Sequence, residues 1–139
     1  MDFYGFYTGK IFDAYKYLGA HVEEKGVTFR TFAPSASRIT LIGEFNDWQE
    51  WEMNKVSDGN FWECYVPQAK AGQMYKYKIY DRNSNPVDHC DPYGFGMELR
   101  PSSASIIRDM SKYKFKDSQW LQSRSDCRKK PLNIYEIHF

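Results

Sequence analysis

A chain of 139 residues with 42% hydrophobic content can bury one core and has too little apolar surface for two full domains. Nineteen Lys and Arg against eighteen Asp and Glu leave a net charge of +1. That balance excludes the basic footprint of a nucleic-acid binder or of a protein drawn to an anionic membrane, and it points to a neutral ligand.

Met1 runs directly into Asp2, Tyr4 and Gly5, with no basic segment and no apolar leader behind it. No apolar run approaches membrane-spanning length, so the expectation is a soluble, cytoplasmic chain. Ile11 to Leu18 sets Phe12, Tyr15 and Leu18 at helical spacing before Gly19, which predicts a short N-terminal helix. From Gly26 the period changes to two: Val27, Phe29 and Thr31 alternate with Thr28, Arg30 and Phe32 until Ala33-Pro34-Ser35 ends the strand. A second strand is predicted over Arg38 to Gly43. Asp58-Gly59-Asn60 is a turn signal before a third, Phe61 to Val66, and Ala71-Gly72 precedes a fourth, Met74 to Asp81. Short strands at regular spacing argue an all-β sandwich.

In the fourth strand, Tyr75, Tyr77 and Ile79 share one face and Lys76, Lys78 and Tyr80 the other. The first set is expected in the core, which turns the lysines outward. Asp81 to Pro86 reads as a polar turn and Asp88 to Arg100, with Pro92, Gly94 and Gly96, as irregular chain. Ser105 to Arg108 adds a final strand. Lys112 to Lys130 is polar and basic and reads as a linker anchored by Trp120 and Leu121. Leu132 to Phe139 is an apolar, strand-like run without a partner, which suggests that more chain follows. The expected division is a helical segment over 1–20, a sandwich over 21–110, a linker over 111–131 and a terminal strand over 132–139.

Gly43-Glu44-Phe45-Asn46-Asp47-Trp48 is the most informative stretch. A strand that breaks into a polar turn and ends on Trp48 puts a large flat ring on a loop, where core packing seldom needs one. Aromatic residues make up 18% of the chain, which is common where rings stack on the apolar faces of sugars. Trp51 could widen the platform, although a spacing of three from Trp48 in a loop fixes no shared direction, while Trp62 reads as packing and Trp120 as the linker's anchor. Glu44 and Asp47 have no fixed separation and are not assigned as a glycosidase dyad. Cys64, Cys90 and Cys127 are odd in number and far apart, so free thiols are expected. His89 and Asp91 cannot close a metal site by themselves, and Glu136 with His138 reads as a structural polar pair. No metal, cofactor or catalytic residue is assigned.

The succession Tyr17-Leu18-Gly19-Ala20-His21, Phe32-Ala33-Pro34, Gly43 to Trp48, Tyr75-Lys76-Tyr77, Asp91-Pro92-Tyr93, Leu99-Arg100-Pro101 and Ile134-Tyr135-Glu136-Ile137-His138 resembles the start of bacterial glycogen branching enzymes. Any one of these motifs is weak, and the specificity lies in seven occurring in order across nearly the whole chain. The resemblance implies an immunoglobulin-like sandwich of the isoamylase N-terminal type, a family 48 carbohydrate-binding module. A linker and the first strand of an α-amylase-type barrel would follow it.

It also implies that the parent enzyme cuts an α-1,4-glucan and rejoins the cut end as an α-1,6 branch. The carboxylates for that chemistry lie on later barrel strands, so this chain is expected to be non-catalytic. The partners implied are an α-glucan and the parent's catalytic barrel. Trp48 and Lys76 match the positions that related glycogen-binding modules use. Those modules carry a second Trp after the next turn, where this chain has Asn83-Ser84-Asn85-Pro86. The alternative is a free-standing glycogen-binding regulatory module, and the terminal apolar strand argues against it.

Overall fold

The computed structural model describes residues 1–127 and 129–138, and the side chain of Cys127 lies outside that description. In chain order the strands are β1 (Gly19–Glu23), β2 (Gly26–Phe32), β3 (Arg38–Gly43), β4 (Trp51–Glu52), β5 (Asn54–Val56), β6 (Phe61–Val66), β7 (Met74–Tyr80), β8 (Pro86–His89) and β9 (Ser105–Ile106). They form two antiparallel sheets. The first runs β1-β2-β6-β5 and the second β4-β3-β7-β8, with β9 also paired to β7.

Register shows why the alternation in sequence yields a sandwich. In the first sheet Val27 faces Val66, Phe29 faces Cys64 and Thr31 faces Trp62. In the second, Ile39 faces Ile79, Leu41 faces Tyr77 and Gly43 faces Tyr75. These pairs line the inner faces and supply most of the buried cluster, with Phe29, Leu41, Tyr75 and Tyr77 wholly sequestered from solvent. Cys64 and Cys90 are free, as expected, and burial pushes the Cys64 thiol up to about 12, so it stays protonated.

The strands expected over residues 38–43 and 61–66 have those bounds, and the fourth ends one residue earlier, at Tyr80. β1 and β8 escape the pattern. β1 is too short to alternate visibly, and every residue of β8 is exposed, so the stretch read as a polar turn and irregular chain contains an edge strand.

The N-terminal helix is present but displaced. It is α1 (Phe3–Tyr7), capped by Asp2, whose carboxylate accepts the Gly5 amide at 2.9 Å. Within Ile11 to Leu18 only Ala14–Lys16 forms a single 3-10 turn. The three-residue spacing there serves three surroundings, because Leu18 is wholly buried, Tyr15 half exposed and Phe12 91% exposed.

α1 seals the outer face of the first sheet. Phe32 and Phe61 are register partners on that face, and Phe3, Phe6 and Tyr7 pack edge-on against Phe61 at centroid distances of 4.8, 5.3 and 6.0 Å. The Tyr7 hydroxyl donates to Asp58 and accepts from Asn60, tying the segment to the turn between β5 and β6. Beside this ring cluster the Arg30 guanidinium lies 4.6 Å from the Tyr17 ring and is paired with Glu63.

The chain divides into two units, Met1–Asp109 and Met110–Phe139. The helical segment therefore belongs to the sandwich. The second unit holds a 3-10 turn at Met110–Lys112 and α2 (Ser118–Cys127). Trp120, read as an anchor, is 55% exposed. Residues 132–138 carry no regular secondary structure, Phe139 lies outside the described residues, and Glu136 and His138 approach to 3.7 Å in the open.

Candidate functional site

Where β3 ends, Gly43 has no room for a side chain, since a Cβ there would meet the Phe45 ring at 2.6 Å and the Met74 carbonyl at 2.7 Å. Phe45 then turns inward and reaches Phe29 at 5.5 Å, plugging the end of the sandwich. Asn46 closes the loop. Its side-chain oxygen accepts the Gly43 amide at 3.0 Å, and its amide donates to the Gln49 carbonyl at 2.6 Å. Asp47 and Trp48 follow with φ of 54° and 59°. Two successive non-glycine residues in the left-handed region cost on the order of 1–3 kcal/mol each, so surrounding bonds must hold them there. One such bond is the Trp48 amide to the Gly43 carbonyl at 2.9 Å. The indole is left 41% exposed.

Lys76 lies on the adjacent strand, paired with Ile42, while the Gly43 that anchors Trp48 is paired with Tyr75. Both sequence candidates therefore stand at the same end of the second sheet. Alternation turns Lys76, Lys78 and Tyr80 outward, as expected, while Tyr75 and Tyr77 are buried and Ile79 packs partly buried against the core. The two lysines differ in company. Lys78 lies 3.6 Å from Glu50 and 4.0 Å from Asp88, whereas Lys76 has no ion pair among the described residues. Lys76 thus keeps its donors available.

Farther along the same face sits a polar lattice that the sequence reading did not pick out. Glu50 accepts from the Tyr80 hydroxyl at 2.8 Å and lies 3.1 Å from Arg38, which also pairs with Glu52 and stacks 4.7 Å over the Tyr80 ring. The Tyr80 hydrogen bond, aided by Arg38 and Lys78, holds the Glu50 carboxyl below the usual range. Strand alternation marked Tyr80. No local signal marked Glu50, which reaches the face from a loop.

The remaining aromatic and acidic candidates have structural duties. Trp51 packs against the core cluster, and buried Trp62 donates from Nε1 to the Ala33 carbonyl at 3.2 Å. Glu44 accepts the Met74 amide at 2.8 Å, which pins the loop to the start of β7. Asp91 is buried and accepts from the Tyr75 and Tyr77 hydroxyls at 2.7 and 3.1 Å and from the Tyr93 amide at 2.8 Å. Burial raises its pKa and these hydrogen bonds partly offset the rise. The Tyr-Lys-Tyr and Asp-Pro-Tyr motifs are thus one latch, its tyrosines facing inward while Lys76 between them faces out. Gly19, at φ +98°, completes the join, since a Cβ there would lie 2.7 Å from the Tyr93 carbonyl.

Residues 17–94 match the profile of carbohydrate-binding module 48, the isoamylase N-terminal domain. The chain belongs to that family. The chain is also 38% identical to the 1,4-alpha-glucan branching enzyme GlgB of Fusobacterium nucleatum, a match covering 99% of this chain and 23% of that protein. It is 39% identical to GlgB of Dechloromonas aromatica, covering 97% of this chain and 22% of that protein. It thus spans about a quarter of the length of these curated relatives. Among solved structures, the maltotriose complex of PulA from Klebsiella pneumoniae superposes with a TM-score of 0.58 at 24% identity, over 70% of this chain and 11% of that one. A putative alpha amylase from Salmonella typhimurium gives 0.59 at 19% identity, over 75% of this chain and 17% of that one. These likenesses agree with the two-sheet fold. Trp48 and Lys76 stand at one end of the second sheet, and the polar turn after β7 is held by Asp81, whose carboxylate accepts the Asn83 and Asn85 amides at 2.8 and 2.9 Å.

Proposed function

We propose that this module binds α-glucan on the outer face of the second sheet, with Trp48 stacking on a pyranose ring and Lys76 donating to sugar hydroxyls. It would hold glucan for a branching enzyme whose catalytic carboxylates lie outside this chain. The carrying observation is the combination of a Trp48 ring presented by a bonded loop with an unpaired Lys76 one register step away. A neutral polymer is the fitting ligand because the face balances its charges within itself, apart from Lys76.

The branching-enzyme assignment is supported by relatives that match nearly all of this chain and carry that name. Nothing comparable favours a free-standing regulatory module. In this reading residues 132–138 become a paired strand only when the catalytic barrel follows them, and the barrel is the module's protein partner. The setting is cytoplasmic, in keeping with glycogen synthesis. Among the described residues no helix is long and apolar enough to cross a membrane.

Affinity electrophoresis through glycogen tests the proposal. The chain is expected to be retarded, with the retardation relieved by soluble maltooligosaccharide and lost in Trp48→Ala. Equal mobility of the parent, the variant and a non-binding protein of similar size would reject glucan binding by this module.

A further inference from the structure

We infer that Asn46 is the positioning residue for Trp48: its carboxamide holds the loop in the one backbone state that carries the indole out to the face. The inference rests on the glucan-binding reading for its functional consequence and on the loop's geometry alone for its structural one.

Asn46 is the only side chain in residues 43–48 that bridges both limbs of the loop. Toward β3 it accepts the Gly43 amide at 3.0 Å and donates weakly to the Leu41 carbonyl at 3.5 Å; toward the exit it donates to the Gln49 carbonyl at 2.6 Å. Its own carbonyl accepts the Gln49 amide at 3.0 Å, so Asp47 and Trp48 are enclosed by a ring of bonds centred on one residue. Their positive φ values lack the relief a glycine would give. The loop is also fixed below, because Phe45 is buried against Phe29 and Glu44 holds the Met74 amide. With the base immobile, the direction of Trp48 depends on the Asn46 clamp.

The side-chain chemistry is specific. Only a carboxamide offers both an acceptor for the Gly43 N–H and donors for the two carbonyls. Asn46→Asp keeps the size and the acceptor, removes both donors and sets a charged oxygen against the Gln49 carbonyl. Glu44 and Asp47 then add to the negative charge of the same turn.

The test is amide hydrogen exchange on the full chain, run with Asn46→Asp beside the wild type, followed by electrophoresis through glycogen. The Trp48 and Gln49 amides are expected to exchange roughly tenfold faster in the variant, one hydrogen bond's worth of opening. The Tyr75 and Tyr77 amides should keep their protection, and retardation should fall toward that of Trp48→Ala. Unchanged exchange at Trp48 and Gln49 would overturn the inference. Faster exchange throughout, Tyr75 and Tyr77 included, would also overturn it, since Asn46 would then be holding the sandwich and not the loop. Faster loop exchange with wild-type retardation would overturn the functional half. A wild type that shows no retardation rejects glucan binding instead, and the exchange result still decides whether Asn46 positions Trp48.

Discussion

The two outer faces of the sandwich are built from strands of similar length and alternation, yet one is closed and the other open. On the first sheet, Phe32 and Phe61 present apolar rings, and α1 covers them with Phe3, Phe6 and Tyr7. On the second, Lys78 and Tyr80 are bonded to Glu50 on the same face, Lys76 has no ion pair among the described residues, and Thr40 and Ile42 between them are buried without a helix over them. The residue type at the outward positions therefore decides which face a helix must seal. Stability is concentrated on the sealed face, and the proposed glucan contact lies on the other.

The sharpest test of that separation is Phe61→Ala. It empties a fully buried site shared by four rings and is expected to cost about 3–5 kcal/mol in urea or thermal unfolding. At a temperature where the variant remains folded, retardation in glycogen should match the wild type. Selective loss of binding would show that the faces are coupled. Trp48→Ala should do the reverse, weakening retardation roughly tenfold, or about 1–2 kcal/mol, with stability changed by less than about 0.5 kcal/mol. Lys76→Ala should weaken binding by about 1 kcal/mol, while Lys78→Ala, whose ammonium is already engaged by Glu50 and Asp88, should leave binding close to wild type. Equal effects from the two lysines would argue for a diffuse positive field in place of a donor at one position.

The smallest effect concerns the latch between the faces. Asp91 is raised chiefly by burial, so the folded chain holds a proton over a pH range in which the unfolded chain has lost it. Its contribution is greatest below the ordinary aspartate value near 4 and is lost as pH rises through the raised folded value. Glu50 has the opposite sign: its folded pKa is lowered, so its contribution is present above the ordinary glutamate value and lost as pH falls through the lowered one. Unfolding measured between pH 3 and about 7 should show the wild type losing stability relative to Asp91→Asn as pH rises. A difference independent of pH would remove Asp91 from the titration.

Much of this division was legible in the residues themselves. The period-two run through Tyr75, Lys76, Tyr77 and Lys78 gave the core face and the open face together, and the polar break ending on Trp48 marked the exposed ring. The hidden parts depend on contacts between distant segments. Asp91 reads as irregular chain until the Tyr75 and Tyr77 hydroxyls, sixteen and fourteen residues earlier, are found bonded to it. β8 has no apolar alternation because it is an edge with every residue exposed. The helical spacing of Phe12, Tyr15 and Leu18 misled for a different reason: only Leu18 has a buried surface to meet, and spacing without a partner face does not sustain a helix.

The lateral strands carry one more consequence. β4 has two residues and β5 three, while β8 opens on Pro86, which cannot donate to a ladder, and carries Asp88 in the open. On three of the four margins, a neighbouring copy finds too short or too interrupted a row of free amides to extend the sheet. Modules of this kind held at high local concentration would remain separate bodies, without fusing edge to edge into fibres.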